Sequence, residues 1–133
     1  MPKQAKIGLI TGAARRVGAE IATLLHASGI NVILHYNHSA AEAKQLCDEL
    51  NQKRNHSATI FQADLTDLSA CTSLVQNAAE TWGALDIVIN NASRFYPTEL
   101  GQVSEEQWND LINSNLKAPY FLCQAAAPFC CVK

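Results

Sequence analysis

The sequence predicts an α/β fold built on a parallel, doubly wound sheet. Three observations predict it. Short apolar runs alternate with stretches of helical periodicity along the chain, a glycine-bearing turn joins the first run to the first helix, and no repeat, Pro-rich linker or low-complexity block breaks the alternation. With 133 residues and 48% apolar side chains, the chain has the length of one domain and the composition of a globular core.

The first strand is expected over residues 6–10, an apolar run leading into Thr11 and Gly12. Val17, Ile21, Leu24 and Leu25 then recur at helical spacing until Gly29 stops the helix. Residues 31–36 read as the second strand. Ser39 and Glu42 have the spacing of a capping box, opening a helix whose buried stripe is Ala43, Leu46, Cys47 and Leu50. Residues 58–62 supply the third strand. Cys71, Leu74, Val75, Ala78 and Trp82 mark a third helix, which Gly83 ends before a fourth strand over residues 85–89. A second capping box, Ser104 with Gln107, opens a last helix whose apolar positions are Trp108, Leu111, Ile112 and Leu116, expected to cover a sheet face through residue 127.

Right-handed βαβ units of this length give a sheet ordered 3-2-1-4, with the fourth strand at an open edge that is uncharged apart from Asp86. Residues 1–133 therefore read as a single, incomplete Rossmann-type doubly wound parallel sheet. Either another chain covers the open edge or the polypeptide is the front part of a longer domain.

Composition narrows the partners. The formal net charge is -2 without a polybasic run, which argues against nucleic acid and against an anionic membrane surface. No run reaches the length of a membrane helix, and the first six residues lack the apolar region of a signal peptide, so a cytoplasmic protein is expected. Cys47, Cys71, Cys123, Cys130 and Cys131 make an odd count with no C-x-x-C, which predicts reduced thiols and no metal. Cys47, Cys71 and Cys123 fall on helix faces as small hydrophobes.

The first turn carries the chemistry. Between strand and helix, the loop from Thr11 through Gly18 offers backbone N–H groups and a helix N-terminus to a pyrophosphate. Gly12 permits the tight turn, Gly18 permits close approach of helix to strand, and Arg16 stands where many such loops have their middle glycine. The second strand ends in Tyr36, Asn37, His38 and Ser39, without the carboxylate that would bind a ribose 2′-hydroxyl. His38, Ser39 and the next helix N-terminus can instead receive a 2′-phosphate, so NADPH is expected in preference to NADH, although His38 also suits an ordinary exposed loop. Asp64 is placed either to accept a hydrogen bond from an adenine amino group or to make a local turn or cap.

In order and spacing, the Thr11-Gly12 to Gly18 loop, Asp64-Leu65, Asn90-Asn-Ala-Ser93 and Asn115-Leu116 resemble the short-chain dehydrogenase/reductase pattern over nearly the whole chain. Within it, Arg15-Arg-Val-Gly18, His35-Tyr36 with Ser39-Ala-Ala-Glu42, and Asn91-Ala-Ser-Arg-Phe-Tyr-Pro-Thr98 resemble pteridine reductases. The resemblance implies an NADPH-dependent reductase of dihydropteridines and dihydrofolate, with a pterin or folate-like partner and homo-oligomeric assembly of a full-length form. It implies cofactor contacts from Gly12, Arg16, Val17, Gly18, Tyr36, Asn37, His38, Ser39, Asp64, Leu65, Asn91, Ala92 and Ser93. Substrate contacts are implied for Arg16, Ser93 and Phe95, the last stacking on the pterin ring. Asn37-His38 stand where related reductases often have His-Arg.

Asn115 sits mid-helix, where Asn is intrinsically poor, and Pro119 has no N–H for its carbonyl. That carbonyl is then available to a water, or the helix simply kinks; the resemblance implies support of a proton-relay water, a catalytic role. The family's Tyr-x-x-x-Lys is absent, since Ala40, Leu100 and Gln124 follow Tyr36, Tyr96 and Tyr120 by four. The pattern departs near Pro128. The chain thus reads as the N-terminal part of such a reductase, inactive alone. The alternatives are a non-catalytic dinucleotide-binding fragment or pseudoenzyme, and a reductase of a 3-oxoacyl or sugar carbonyl, against which the Phe95 segment argues.

Overall fold

A computed structural model describes residues 3–130, so Cys131 lies outside the described residues. Four strands, β1 (Ile7–Ile10), β2 (Asn31–Tyr36), β3 (Ala58–Gln62) and β4 (Ile87–Ile89), pair in parallel in the order β3-β2-β1-β4. Helices α1 (Arg16–Ala27), α2 (Ala40–Lys53) and α3 (Leu68–Thr81) make the crossovers. After β4 come α4 (Glu105–Ile112), a π-helical turn (Asn113–Lys117) and α5 (Ala118–Cys130).

Strand alternation divides the core between the two sheet faces. Ile7, Leu9 and Ile33 face α3 and α5, where Cys71, Leu74, Val75, Ala78, Leu122 and Ala126 pack. Ile10, Val32 and Leu34 face the opposite layer, where Ala22 of α1 and Leu50 of α2 close the core. Gly29 and Gly83 end α1 and the α3 segment at φ 95 and 79, a conformation that costs glycine little. At the amino ends of β2 and β3, Arg54 donates to the carbonyls of His26 and Ile30, and the buried His26 ring meets Ser57 Oγ at 2.6 Å.

Several expectations are corrected. Val17 and Leu24 do not point to the core; they are exposed, and α1 instead buries Gly18, Ala22 and His26. Residues spaced by four form that stripe, and Gly18 and Ala22, with little or no side chain, bring the start of the helix close to the sheet. Ser39 is the N-cap of α2 but makes no capping bond, because its ψ of 56 departs from the extended geometry that aims the oxygen at the first turn. The last helix is not continuous: a π-turn interrupts it at Asn115, and α4 buries no residue. Trp108 and Leu116 are exposed, and so is Cys123, whose Sγ accepts from Asn90. The Ser104–Gln107 capping box does form.

The fourth strand is shorter than expected and only half-buried, with β1 as its pairing partner. Asp86, just before it, accepts from the N–H of Ile7 at 2.8 Å and so fastens the start of β1. No helix of the described residues is long and apolar enough to cross a membrane.

Candidate nucleotide-binding cleft

A cleft of about 560 Å³ opens at the carboxyl ends of the strands, where the direction of sheet winding reverses between β1 and β4. One wall is the loop after β1. Gly12 has φ 61, and a Cβ on Gly18 would lie 2.1 Å from the Gly12 carbonyl oxygen and 2.6 Å from Asn91 Nδ2. Only a backbone without side chains packs this closely, which brings the start of α1 against the loop and leaves room for a phosphate group above it. Arg16 holds φ 54, so the middle position of the loop keeps a left-handed backbone although its residue is not glycine.

The loop is fixed from two sides. Thr11 Oγ1 accepts the N–H groups of Asn91 and Ala92, both at 3.0 Å, while Asn91 Nδ2 donates to the carbonyls of Thr11 and Gly12, both at 3.1 Å. From the other side, His35 Nδ1 accepts the Gly12 N–H at 3.0 Å and Nε2 faces the Ala63 carbonyl at 2.9 Å. A carbonyl can only accept and an N–H only donate, so the ring is the neutral tautomer with hydrogen on Nε2. Burial pushes the His35 pKa down, opposed by the bond to Ala63.

The second strand delivers Tyr36, Asn37, His38 and Ser39 to the cleft. Gln62 Nε2 donates to the Asn37 side chain at 3.0 Å and holds it in place. Without a capping bond, the Ser39 hydroxyl is not consumed by α2. From β3, Asp64 and Leu65 line the cleft, and Asp64 Oδ1 accepts from the Thr66 hydroxyl at 2.7 Å and its N–H at 3.0 Å. These two bonds, the hydroxyl's first, hold the Asp64 carboxyl below its ordinary pKa. The α3 cap is made by Asp67 instead, which accepts from Ser69 N–H. Asp64 is the one carboxylate among the lining residues, against the cations of Arg15, Arg16 and Arg94.

All thirteen residues expected at a cofactor, Gly12, Arg16, Val17, Gly18, Tyr36, Asn37, His38, Ser39, Asp64, Leu65, Asn91, Ala92 and Ser93, line this single cleft. The exposure of Val17 is thereby accounted for. Phe95 does not line it; two residues beyond Ser93, its side chain is 88% exposed. Asn115 lies outside as well, in a hollow of about 600 Å³ shared with Leu116, Pro119, Tyr120, Cys123 and Gln124. Its amide pairs with the backbone of Arg94, accepting the N–H at 2.8 Å and donating to the carbonyl at 2.7 Å.

Sequence reasoning missed Ala14, Arg15, His35, Thr66, Arg94 and Ser114 among the lining residues. Ala14 and Arg15 lie within the loop already assigned to a pyrophosphate, Arg94 lies within a quoted motif, and His35 is a polar residue inside a mostly apolar strand.

Residues 6–131 match the family model described as short chain dehydrogenase. The chain is 39% identical to pteridine reductase 1 of Leishmania tarentolae, over 92% of this chain and 53% of that protein. It is 36% identical to the short-chain dehydrogenase/reductase FrzI of Cladobotryum sp, covering 91% of this chain and 46% of that one. Identity to the 3-oxoacyl-[acyl-carrier-protein] reductase FabG of Staphylococcus aureus is 32%, over 95% of this chain and 51% of the relative. The chain spans about half the length of the curated relatives it matches.

Proposed function

The chain belongs to the short chain dehydrogenase family, and we propose that it is the NADPH-binding, N-terminal part of a reductase whose substrates are dihydropteridines and dihydrofolate. The observation that carries the cofactor choice is the end of β2, where Tyr36, Asn37, His38 and Ser39 meet the cleft with no carboxylate among them. A 2′-phosphate there meets His38, the Ser39 hydroxyl and the amino-terminal end of α2. The loop from Gly12 to Gly18 and the Arg16 guanidinium hold the pyrophosphate, and Asp64 with Leu65 flanks the adenine. Asn91, Ala92 and Ser93 flank the nicotinamide end. The bound dinucleotide supplies hydride; the chain's own residues bind and orient it.

Titration calorimetry with both cofactors tests this reading. NADPH is expected to bind about tenfold or more tighter than NADH, the worth of one charge-assisted hydrogen bond to the 2′-phosphate. Equal affinities, or tighter NADH, would overturn it.

For the substrate, the relative named pteridine reductase 1 and the exposed ring of Phe95 beside the cleft support a flat heteroaromatic molecule. The similarity to a 3-oxoacyl reductase supports the second reading, a carbonyl substrate, which does not use an aromatic platform. Reduction also needs a positioned proton donor, and the sequence has no Tyr-x-x-x-Lys. Loss of such a donor typically costs about 10²–10⁴-fold in rate, so the 133-residue chain alone is proposed to be nearly inactive. Dihydrobiopterin-dependent NADPH oxidation by the purified chain at ordinary enzyme rates would refute that part. A reducing, cytoplasmic setting suits its cysteines, of which Cys47, Cys71 and Cys123 form no disulfide.

A further inference from the structure

The segment from Asn90 to Glu99 has no regular secondary structure, yet its exposure alternates: Ser93 exposed, Arg94 half-buried, Phe95 exposed, Tyr96 half-buried. Alternation of this kind is the mark of an extended chain held on one side. The holder is Asp110 on α4. One carboxylate oxygen takes the Arg94 guanidinium in an ion pair, and the other accepts the Tyr96 hydroxyl at 2.9 Å. Arg94 and Tyr96 are the two neighbours of Phe95, so one side chain grips both flanks of the exposed ring.

The grip is itself anchored. The Ser104–Gln107 capping box fixes the start of α4, Ser114 Oγ donates to the Asp110 carbonyl at 2.8 Å, and Asn115 pairs with both backbone groups of Arg94. The segment from α4 through the π-helical turn thus holds two loop residues, Arg94 and Tyr96, while Ser93 and Arg94 line the cleft.

We propose that Asp110 is a positioning residue whose carboxylate clamps both neighbours of Phe95, turning that ring outward at the cleft margin to receive the face of a planar heteroaromatic substrate. The substrate half of this inference rests on the pteridine reading above; the clamp itself does not. Asp110 is not among the residues that line the cleft. It acts through Arg94 and Tyr96, because residues one before and one after Phe95 in an extended chain share a side and force Phe95 to the other.

Two variants of the full chain, Asp110→Ala and the milder Tyr96→Phe, test the clamp by limited chymotrypsin digestion. The Phe95–Tyr96 bond reports it, since the following bond precedes Pro97 and resists cleavage. Cleavage after Phe95 is expected to rise about tenfold or more in Asp110→Ala and by a smaller factor, about threefold, in Tyr96→Phe, as local opening follows the loss of charge-assisted bonds. In parallel, dihydrobiopterin affinity is expected to fall about tenfold while NADPH affinity stays within about twofold, a split that general destabilisation does not produce. Unchanged cleavage in Asp110→Ala, or loss of both affinities together, would overturn the proposal. Raised cleavage in Asp110→Ala, with an unmodified chain that binds NADPH but no pterin, would uphold the clamp and overturn the pteridine reading alone.

Discussion

The backbone N–H of Gly12 donates to Nδ1 of His35 at 3.0 Å, across 23 positions of sequence. With Nε2 committed to Ala63, this ring joins the loop after β1 to the end of β3, and it does so only while neutral. A proton on Nδ1 would replace an acceptor by a donor facing a donor.

Acid should therefore loosen the cleft. The folded state lowers the His35 pKa below its ordinary 6.5 through burial, and His26 shifts the same way through burial and the nearby Arg54 and Lys53 charges. The unfolded chain then binds the proton more readily, so stability is full above about pH 6.5 and falls as pH drops through 6.5 toward the lowered folded values. The slope for His35 is at most about 1.4 kcal/mol per pH unit. Urea unfolding at about pH 7.5 and 5.5 measures it, and His35→Gln, whose amide can accept from Gly12 and donate to Ala63, should flatten the slope. Equal stability across that window would count against the neutral tautomer.

Gly18→Ala should be severe. Its new Cβ would stand 2.1 Å from the Gly12 carbonyl oxygen, a backbone atom that cannot swing aside. A loss of about 3 kcal/mol or more is expected, with NADPH binding abolished. Denaturant titration and calorimetry read both, and a variant of wild-type stability would show that the loop yields.

Thr11→Val tests the junction between β1 and the segment after β4. The swap keeps shape but removes the oxygen that accepts from Asn91 and Ala92 N–H, at a residue only 1% exposed. The Asn91 N–H keeps the Ile89 carbonyl at 3.1 Å, so the Ala92 N–H alone loses its acceptor, which should cost about 1–3 kcal/mol, seen as a lower urea midpoint with an unchanged slope.

Arg16 should separate stability from binding. Its φ of 54 suits glycine, so Arg16→Gly is expected to relieve strain on the order of 1 kcal/mol. The same change removes a cation from the cleft and should weaken NADPH binding by about 1–3 kcal/mol. Tighter or equal binding by the glycine variant would mean that the guanidinium does not meet a phosphate.

The chain should also self-associate. Among the described residues the outer β4 edge is unpaired, and Trp108, Leu116, Tyr120 and Phe129 are exposed on the segment from α4 to α5 at 61%, 63%, 64% and 48%. Unpaired strand groups and that much exposed apolar surface favour pairing with a second copy. Sedimentation velocity is expected to show dimers or larger species, with slow exchange of Ile87–Ile89 amides on assembly. A monodisperse monomer would argue against this.

The sequence by itself determined the strand order, the bounds of β2 and β3, the stops at Gly29 and Gly83, and the segments that meet in the cleft. Each of those rests on a local signal: an apolar run, a glycine where φ must turn positive, or a turn between strand and helix. Only the tertiary structure decided which face α1 buries, since Gly18, Ala22 and His26 face inward while the more hydrophobic Val17 and Leu24 remain in water. Close packing against the sheet rewards the small Gly18 and Ala22, and His26 is held by Ser57, neither of which hydrophobicity counted along the chain can register. His35 turning toward Gly12, Asp110 holding both flanks of Phe95, and Asn115 pairing with Arg94 were equally out of reach. Their partners lie 14 to 23 positions away in sequence, and whether a polar side chain meets such a partner depends on how the sheet and helices bring those segments together.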